Sequence, residues 1–232
     1  MTTVRGARER ARIEITAAIK DEARRQLAED GAAKLSLRAV ARELGMVSSA
    51  LYRYFPSRDD LLTALIIDAY DSVGAAAETA HADARVLGAP PRDRWLAVCI
   101  AVRAWALAHP HEYALIYGSP VPGYTAPEDT VVPASRVGNT LVAVVREAHA
   151  ARRLVLPPLP AVLRREADRM TGEFAAGLPP EVTATLVACW AQLVGLISFE
   201  VFGQFNRVVE AREEFFVHSA AQLAHQVGII AV

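Results

Sequence analysis

The stretch Leu35–Leu62, reading LSLRAVARELGMVSSALYRYFPSRDDLL, constrains the fold more than any other part of the chain. It carries two short helical patterns around Gly45: Leu37–Leu44, following the capping hydroxyl of Ser36, and roughly Ser48–Tyr54, ahead of Pro56. Gly45 breaks the first, and Pro56 ends the second because the residue before a proline is pushed out of helical geometry. Helices this short are not stable alone in water. They must pack against the longer helical patterns on either side, and Leu37, Val40, Ala41, Leu44, Leu51 and Phe55 supply the contacts. That is the layout of a helix-turn-helix, whose second helix lies in the major groove of DNA. Its exposed positions are then Ser48, Ser49, Ala50, Tyr52, Arg53 and Tyr54, small or hydrogen-bonding side chains suited to close approach to bases and phosphates.

The flanks agree with this. Upstream, Ile15, Ala18, Ile19, Ala23 and Leu27 mark one face of a helix over Arg8–Glu29, stopped at Asp30-Gly31. Downstream, Ser57-Arg58-Asp59-Asp60 forms a capping box and launches a helix to about His81. Residues 1–60 carry a formal charge of +3 and residues 61–232 one of −4, so a modestly basic head precedes an acidic body. Arg5, Arg8, Arg10 and Arg12 are candidates for an arm reaching a neighbouring minor groove; a solvated tail is the alternative for Arg5. No apolar run follows this basic segment, so it does not read as a secretion leader.

The sequence ALYRYFPSRDDLL is the most specific part of a resemblance, covering about residues 8–65, to the tetracycline-repressor (TetR) family of bacterial regulators. The resemblance implies that Ser36, Arg38, Tyr52, Tyr54 and Arg58 contact the DNA backbone or adjacent bases. It implies that Ser48, Ser49, Ala50 and Arg53 face the groove, with Leu51 and Phe55 in the core. One departure stands out. The family usually caps the recognition helix with serine or threonine where this chain has Val47, which leaves Ser48 as the alternative cap.

The rest of the chain also reads as helical, so the expected fold is all-α: a DNA-binding domain over residues 8–60, a connecting helix to about residue 81, and a larger helical domain over 82–232. Amphipathic helices are expected from Trp95 to Ala106, up to Tyr117, from Pro133 to about Arg153, over Ala161–Ala176, and over roughly Pro180–Phe205 and Val208–Ile229. The proline-rich segment Gly118–Pro133 reads as a loop or lid. The uncharged run Val182–Phe199 approaches membrane-spanning length but contains Thr183, Thr185, Gln192 and Ser198, and reads as a helix buried on more than one side. Its small residues Ala184, Ala188, Ala191, Gly195 and Ser198 form one stripe, and Leu186, Trp190, Leu193 and Ile197 a bulky one beside it. With Phe216, Ala220, Leu223 and Val227 of the last helix, the small stripe suggests a four-helix bundle between two copies; an ordinary intrachain hairpin is the alternative.

Trp105, His109, His111, Tyr113, Tyr117, Trp190 and Phe199 are the side chains available to a ligand pocket, each equally readable as core packing. The pattern H-P-x-x-Y-x-L-x-x-G-x-P-x-P-G-Y, from His109 to Tyr124, resembles the C-terminal domain of one subgroup of the family, the WHG type. His109 and His111 are two apart, poorly spaced for a helical metal site, and no Cys or carboxylate cluster accompanies them, so neither metal nor cofactor is expected. Cys99 and Cys189 read as core thiols of a reducing cytoplasm. No G-x-S-x-G, phosphate loop or H-E-x-x-H occurs, which argues against an enzyme. The expected protein is therefore a cytoplasmic homodimeric repressor, bound to a palindromic double-stranded DNA operator, released by a small hydrophobic effector and without a membrane partner. The alternative is a DNA-binding activator or structural DNA-binding protein without a ligand.

Overall fold

The computed structural model describes residues 2–230, with side chains from residue 6 onward; the expected role of the Arg5 side chain lies outside that range. Ten α-helices and three short 3-10 turns are the regular elements of the described residues, which include no strand; one isolated antiparallel bridge joins Leu154 to Ile229. The helices are α1 (Thr2–Asp30), α2 (Leu37–Glu43), α3 (Ser48–Leu51), α4 (Arg58–Val86), α5 (Pro91–Ala108), α6 (Pro110–Tyr117), α7 (Val131–Ala150), α8 (Arg164–Phe174), α9 (Pro180–Val201) and α10 (Arg212–Gln226).

Two compact units divide the chain. One comprises the residues up to Tyr70 together with His109–Val131; the other comprises Asp71–Ala108 and Val132 onward. The first gathers α1, α2 and α3 and the start of α4 around Ile19, Ala23, Val40, Ala41, Leu51, Leu61 and Leu62, all sealed from solvent. Leu115, Val121 and Tyr124 pack against that core, so α6 and the proline-rich loop after it belong with the helix-turn-helix. Sequence reading expected them in the C-terminal part. Two polar contacts reinforce the attachment: Arg24 Nε donates to Glu112 at 3.0 Å, and the Thr63 and Tyr124 hydroxyls lie 2.8 Å apart.

In the second unit α5 is a central helix. Trp95, Val98, Cys99, Val102 and Ala106 are buried, and the Trp95 indole donates to the Ala220 carbonyl of α10 at 3.1 Å. Helix α9 buries Leu186, Cys189, Leu193 and Ile197 and ends in an ion pair inside the fold, where Arg103 grips Glu200 through two hydrogen bonds of 2.7 Å. Burial pushes the Cys99 thiol up and that of Cys189 up to about 12, so both are protonated and weakly nucleophilic near neutral pH. At Glu147 burial pushes the carboxyl up, but hydrogen bonds from Arg94 and His81 outweigh it and hold it below the ordinary carboxylate value.

The C-terminal end of α10 is closed by glycine. Gly228 has φ +101°, its N–H donates to the His225 carbonyl and that of Ile229 to the Ala224 carbonyl, the double bond pattern of a left-handed cap. Val155 N–H then donates to the Gly228 carbonyl and Ile230 N–H to that of Arg153, tying residues 153–155 to the C-terminus. A Cβ at position 228 would lie 2.1 Å from the Val155 carbonyl oxygen. Gly228→Ala is therefore expected to cost about 2–3 kcal/mol, combining backbone strain with a backbone clash. Urea denaturation checks it, and an unchanged midpoint would contradict it.

Candidate nucleic-acid interface

Local chemistry sets the geometry of the helix-turn-helix. Ser36 caps α2 by accepting the Ala39 N–H, and Gly45 closes the helix at φ +64°. The Gly45 N–H donates to the Arg42 carbonyl and the Met46 N–H to that of Ala41, again a left-handed cap. This turn sends the chain into α3 at a fixed angle. Val47 occupies the cap of α3 without any side-chain hydrogen bond, and Ser48 is the first helical residue. Ser48 is thus not the cap, and it is exposed. Leu51, fully buried, anchors the four-residue α3, and Phe55 follows in the core.

The structure sorts the expected DNA contacts into two groups. Arg38, Ser48, Ser49, Tyr52 and Arg53 are exposed, and Ala50 is half-buried. Val47, at 70% exposure, joins them as an apolar surface residue that sequence reading treated only as a missing cap. Ser36, Tyr54 and Arg58 are engaged in building the domain. Ser36 is occupied as the α2 cap, and Tyr54 packs against the core. Arg58 donates to the carbonyls of Ala32 at 2.8 Å, Ala33 at 3.2 Å and Leu35 at 3.2 Å, pinning the turn between α1 and α2 to the start of α4. Ser57 Oγ accepts the Asp60 N–H, the forward bond of the expected capping box, and donates to the Asp60 carboxylate at 2.7 Å.

The N-terminal arginines belong to a continuous helix, since α1 begins at Thr2 and Arg8, Arg10 and Arg12 are all exposed on it. Arg38, Ser48, Ser49, Tyr52 and Arg53 thus form an exposed set of cationic and hydrogen-bonding groups on a short element. A duplex groove accepts such an element.

The side chains named for a ligand pocket separate between the two units. In the first, Tyr113 is buried, Tyr117 packs on it with ring centroids 5.1 Å apart, and Tyr70 meets Tyr117 edge-on at 6.1 Å. His109 and His111 are exposed at the start of α6. In the second, the buried Trp105 donates its indole N–H to Ser72 Oγ at 2.8 Å, while Trp190 and Phe199 stand partly exposed on α9. The residues named for a dimer interface also separate. Ala184, Ala188, Ala191, Gly195 and Ser198 line the open face of α9, half-buried or exposed. Phe216, Ala220, Leu223 and Val227 are core residues of the chain itself: Phe216 lies under the Arg103 guanidinium at 5.3 Å, and Cys189 Sγ approaches the Leu223 carbonyl at 3.5 Å. Periodicity selects the most apolar face of a helix, and in α10 that face is taken by the chain's own core. The exposed positions of α10 are Glu213, Glu214, Phe215, His218, Gln222, His225 and Gln226.

Residues 19–65 match the family model of bacterial regulatory proteins of the tetR family, and residues 95–223 match that of the tetracyclin repressor-like C-terminal domain. The HTH-type transcriptional regulators Rv1816 of Mycobacterium tuberculosis and Mb1846 of Mycobacterium bovis are each 42% identical over 208 residues, covering 87% of this chain and 86% of theirs. Among solved structures, the regulatory protein SCO4313 is similar with a TM-score of 0.76 and 35% identity, over 94% of this chain and 98% of that one. A Rhodococcus protein of unknown function shares the fold at a TM-score of 0.69 and 24% identity, over 93% and 95% of the two chains. On its sequence matches, its helix-turn-helix and its fold, the chain belongs to the TetR family and is a DNA-binding transcriptional regulator.

Proposed function

We propose that the protein is a cytoplasmic, non-enzymatic homodimeric repressor that holds a palindromic operator and lets go when a small hydrophobic ligand binds its C-terminal helices. The observation that carries the dimer is the open face of α9, where five small side chains leave room for a second helix to approach closely. Two heads related by a twofold axis then meet half-sites one helical turn or more apart, and a ligand that favours a different spacing lowers DNA affinity. In this reading residues 8–60 form the reading head, assisted by the 109–131 segment packed on it, and the remaining helices sense and dimerise. The His109–Tyr124 pattern supports the reading of the C-terminal helices as the WHG type.

Ser48, Ser49, Ala50 and Arg53 face the bases, Arg38 and Tyr52 hold phosphates, and Ser36, Tyr54 and Arg58 act by fixing the position of α2 and α3. Arg8, Arg10 and Arg12 extend the phosphate contact along the N-terminal part of α1. Of the aromatic and histidine set, Trp190 is the residue best supported as a ligand contact.

The dimer has a direct test. A Cβ on Gly195 meets no atom within 4 Å in the chain, so Gly195→Leu should gain roughly 0.5–1 kcal/mol of helix preference while placing a bulky group on the open stripe. The expected result is a folded monomer by sedimentation equilibrium that has lost high-affinity operator binding. A variant that remains dimeric with unchanged DNA affinity would rule out this face. Ligand release is tested by operator-bound fluorescence anisotropy against a library of apolar metabolites; none changing the affinity would leave a regulator without an effector.

A further inference from the structure

We propose that a small, uncharged, largely apolar molecule binds the groove formed by α7, α8 and α9. The proposal rests on the reading of the protein as ligand-responsive and assigns the site. The groove has a volume of about 390 Å³, within the range of small-ligand sites. Leu141 and Leu186 form its floor, and Met170, Phe174 and Trp190 its walls. Phe174 and Trp190 keep 42% and 38% of their surface exposed, an arrangement that favours a flat apolar guest over water.

Charge on the lining points to a neutral guest. Arg169 is the only charged residue on the lining among the described residues, and its guanidinium is already satisfied by Glu166 and by Glu173 at 2.6 Å on its own helix. An anionic ligand would have to break those pairs. At the α7 side, Asn139 Nδ2 donates to Ser135 Oγ at 3.1 Å, and Ser135 Oγ donates to the Val132 carbonyl at 2.8 Å. That chain of bonds leaves Asn139 Oδ1 as the acceptor for a hydroxyl or N–H on the guest.

Helix α8 forms one wall. It follows a break at Pro157, Pro158 and Pro160 and precedes the left-handed Gly177, and Thr171 Oγ1 on it is buried without a hydrogen-bond partner. A second groove, between α9 and α10, is larger at about 510 Å³. It is bordered by Phe199, Phe205 and Phe215 as well as by Gln192, Gln222 and Gln226, and it is continuous at Gly195 with the small-residue stripe, which suits the facing helix of a second copy.

The test uses the uncharged fluorophore Nile red and the full-length protein. Gly138 lies on the groove, inside α7, and a Cβ there meets no atom within 4 Å, so Gly138→Leu fills the cavity while improving helix preference. We expect saturable Nile red binding by the wild type, weakened about tenfold or more by Gly138→Leu through the steric block. Thermal stability should be equal or higher in that variant. Ser219→Leu, in the α9–α10 groove, should leave binding unchanged. No saturable binding by the wild type, equal binding by Gly138→Leu, or loss confined to Ser219→Leu would each overturn the assignment. Operator affinity at saturating Nile red is scored separately: a groove that binds the dye without altering DNA affinity keeps the site and counts against ligand release by this occupant.

Discussion

Glu200→Ala is expected to destabilise the protein by about 3–5 kcal/mol, the cost of leaving a buried charge without its partner. The Arg103 side chain keeps 14% of its surface exposed and that of Glu200 only 6%, and the two share a bidentate pair with both distances at 2.7 Å. The guanidinium also rests over Phe216 of α10, so one cation joins α5, α9 and α10. Burial opposes the charge, yet the Glu200 hydrogen bonds, the largest influence, raise the Arg103 pKa; the cation persists when Glu200 is removed. The comparison that isolates this cause is the double variant Arg103→Met with Glu200→Leu. Replacing both charges by apolar groups of similar volume is often neutral or stabilising. Urea denaturation should therefore show a large loss for Glu200→Ala and a small one for the double variant. Equal losses in the two would mean that packing volume, and not the stranded charge, sets the cost.

Leu51→Ala should be similarly costly but local in its consequence. Leu51 is wholly buried in the head, and emptying such a site costs about 2–5 kcal/mol depending on how far the surroundings collapse. Because α3 has only four residues, it has no helical stability of its own to draw on. Losing its anchor should leave far-ultraviolet helicity almost unchanged, since nearly all helical residues lie elsewhere. Operator affinity should fall by more than about tenfold, equivalent to a loss above 1.4 kcal/mol. Tyr52→Ala is the useful contrast, because its side chain is exposed and its removal should weaken DNA binding without shifting the unfolding midpoint. A Leu51→Ala protein that binds operator as well as the wild type would mean that α3 is not the reading element.

These expectations draw on features that were legible in the sequence to different degrees. The ends of α2 and the start of α4 were readable because their causes are local: Ser36, Gly45, Pro56 and Ser57 each act within four residues of the boundary they set. The long helices were readable in existence and less so in extent. Helix α4 runs past His81 to Val86 because Ala82–Arg85 contains no breaker, and the stop comes only at Gly88. Helix α9 stops at Val201, short of Phe205, where the chain turns at Gly203 with φ +80°. The allegiance of residues 109–131 was not readable, since the contacts of Leu115, Val121 and Tyr124 are with residues far away in the chain. The same holds for α10. Its apolar face is plain in the sequence, but whether that face meets its own chain or another depends on what α5 and α9 present to it.

At the site, the exposed residues of α3 were identifiable because a helix anchored by Leu51 must turn Ser48, Ser49, Tyr52 and Arg53 outward. Arg58 has a structural role that was not legible in the sequence. An arginine beside a helix-turn-helix reads as a phosphate contact, and only the fold shows three carbonyl groups already within its reach.

The central claim is that the exposed face of α2 and α3 binds DNA, and salt dependence is its most direct measure. The experiment is fluorescence anisotropy of the full-length protein on a genomic fragment that it selects, over a range of salt concentrations, for the wild type, Arg38→Ala and Arg53→Ala. A linear fall of log affinity with log salt is expected for the wild type, with Arg38→Ala reducing the slope by about 1 and Arg53→Ala costing about 1–3 kcal/mol in a sequence-dependent way. Affinity that does not change with salt, or that is untouched by either substitution, would contradict the account.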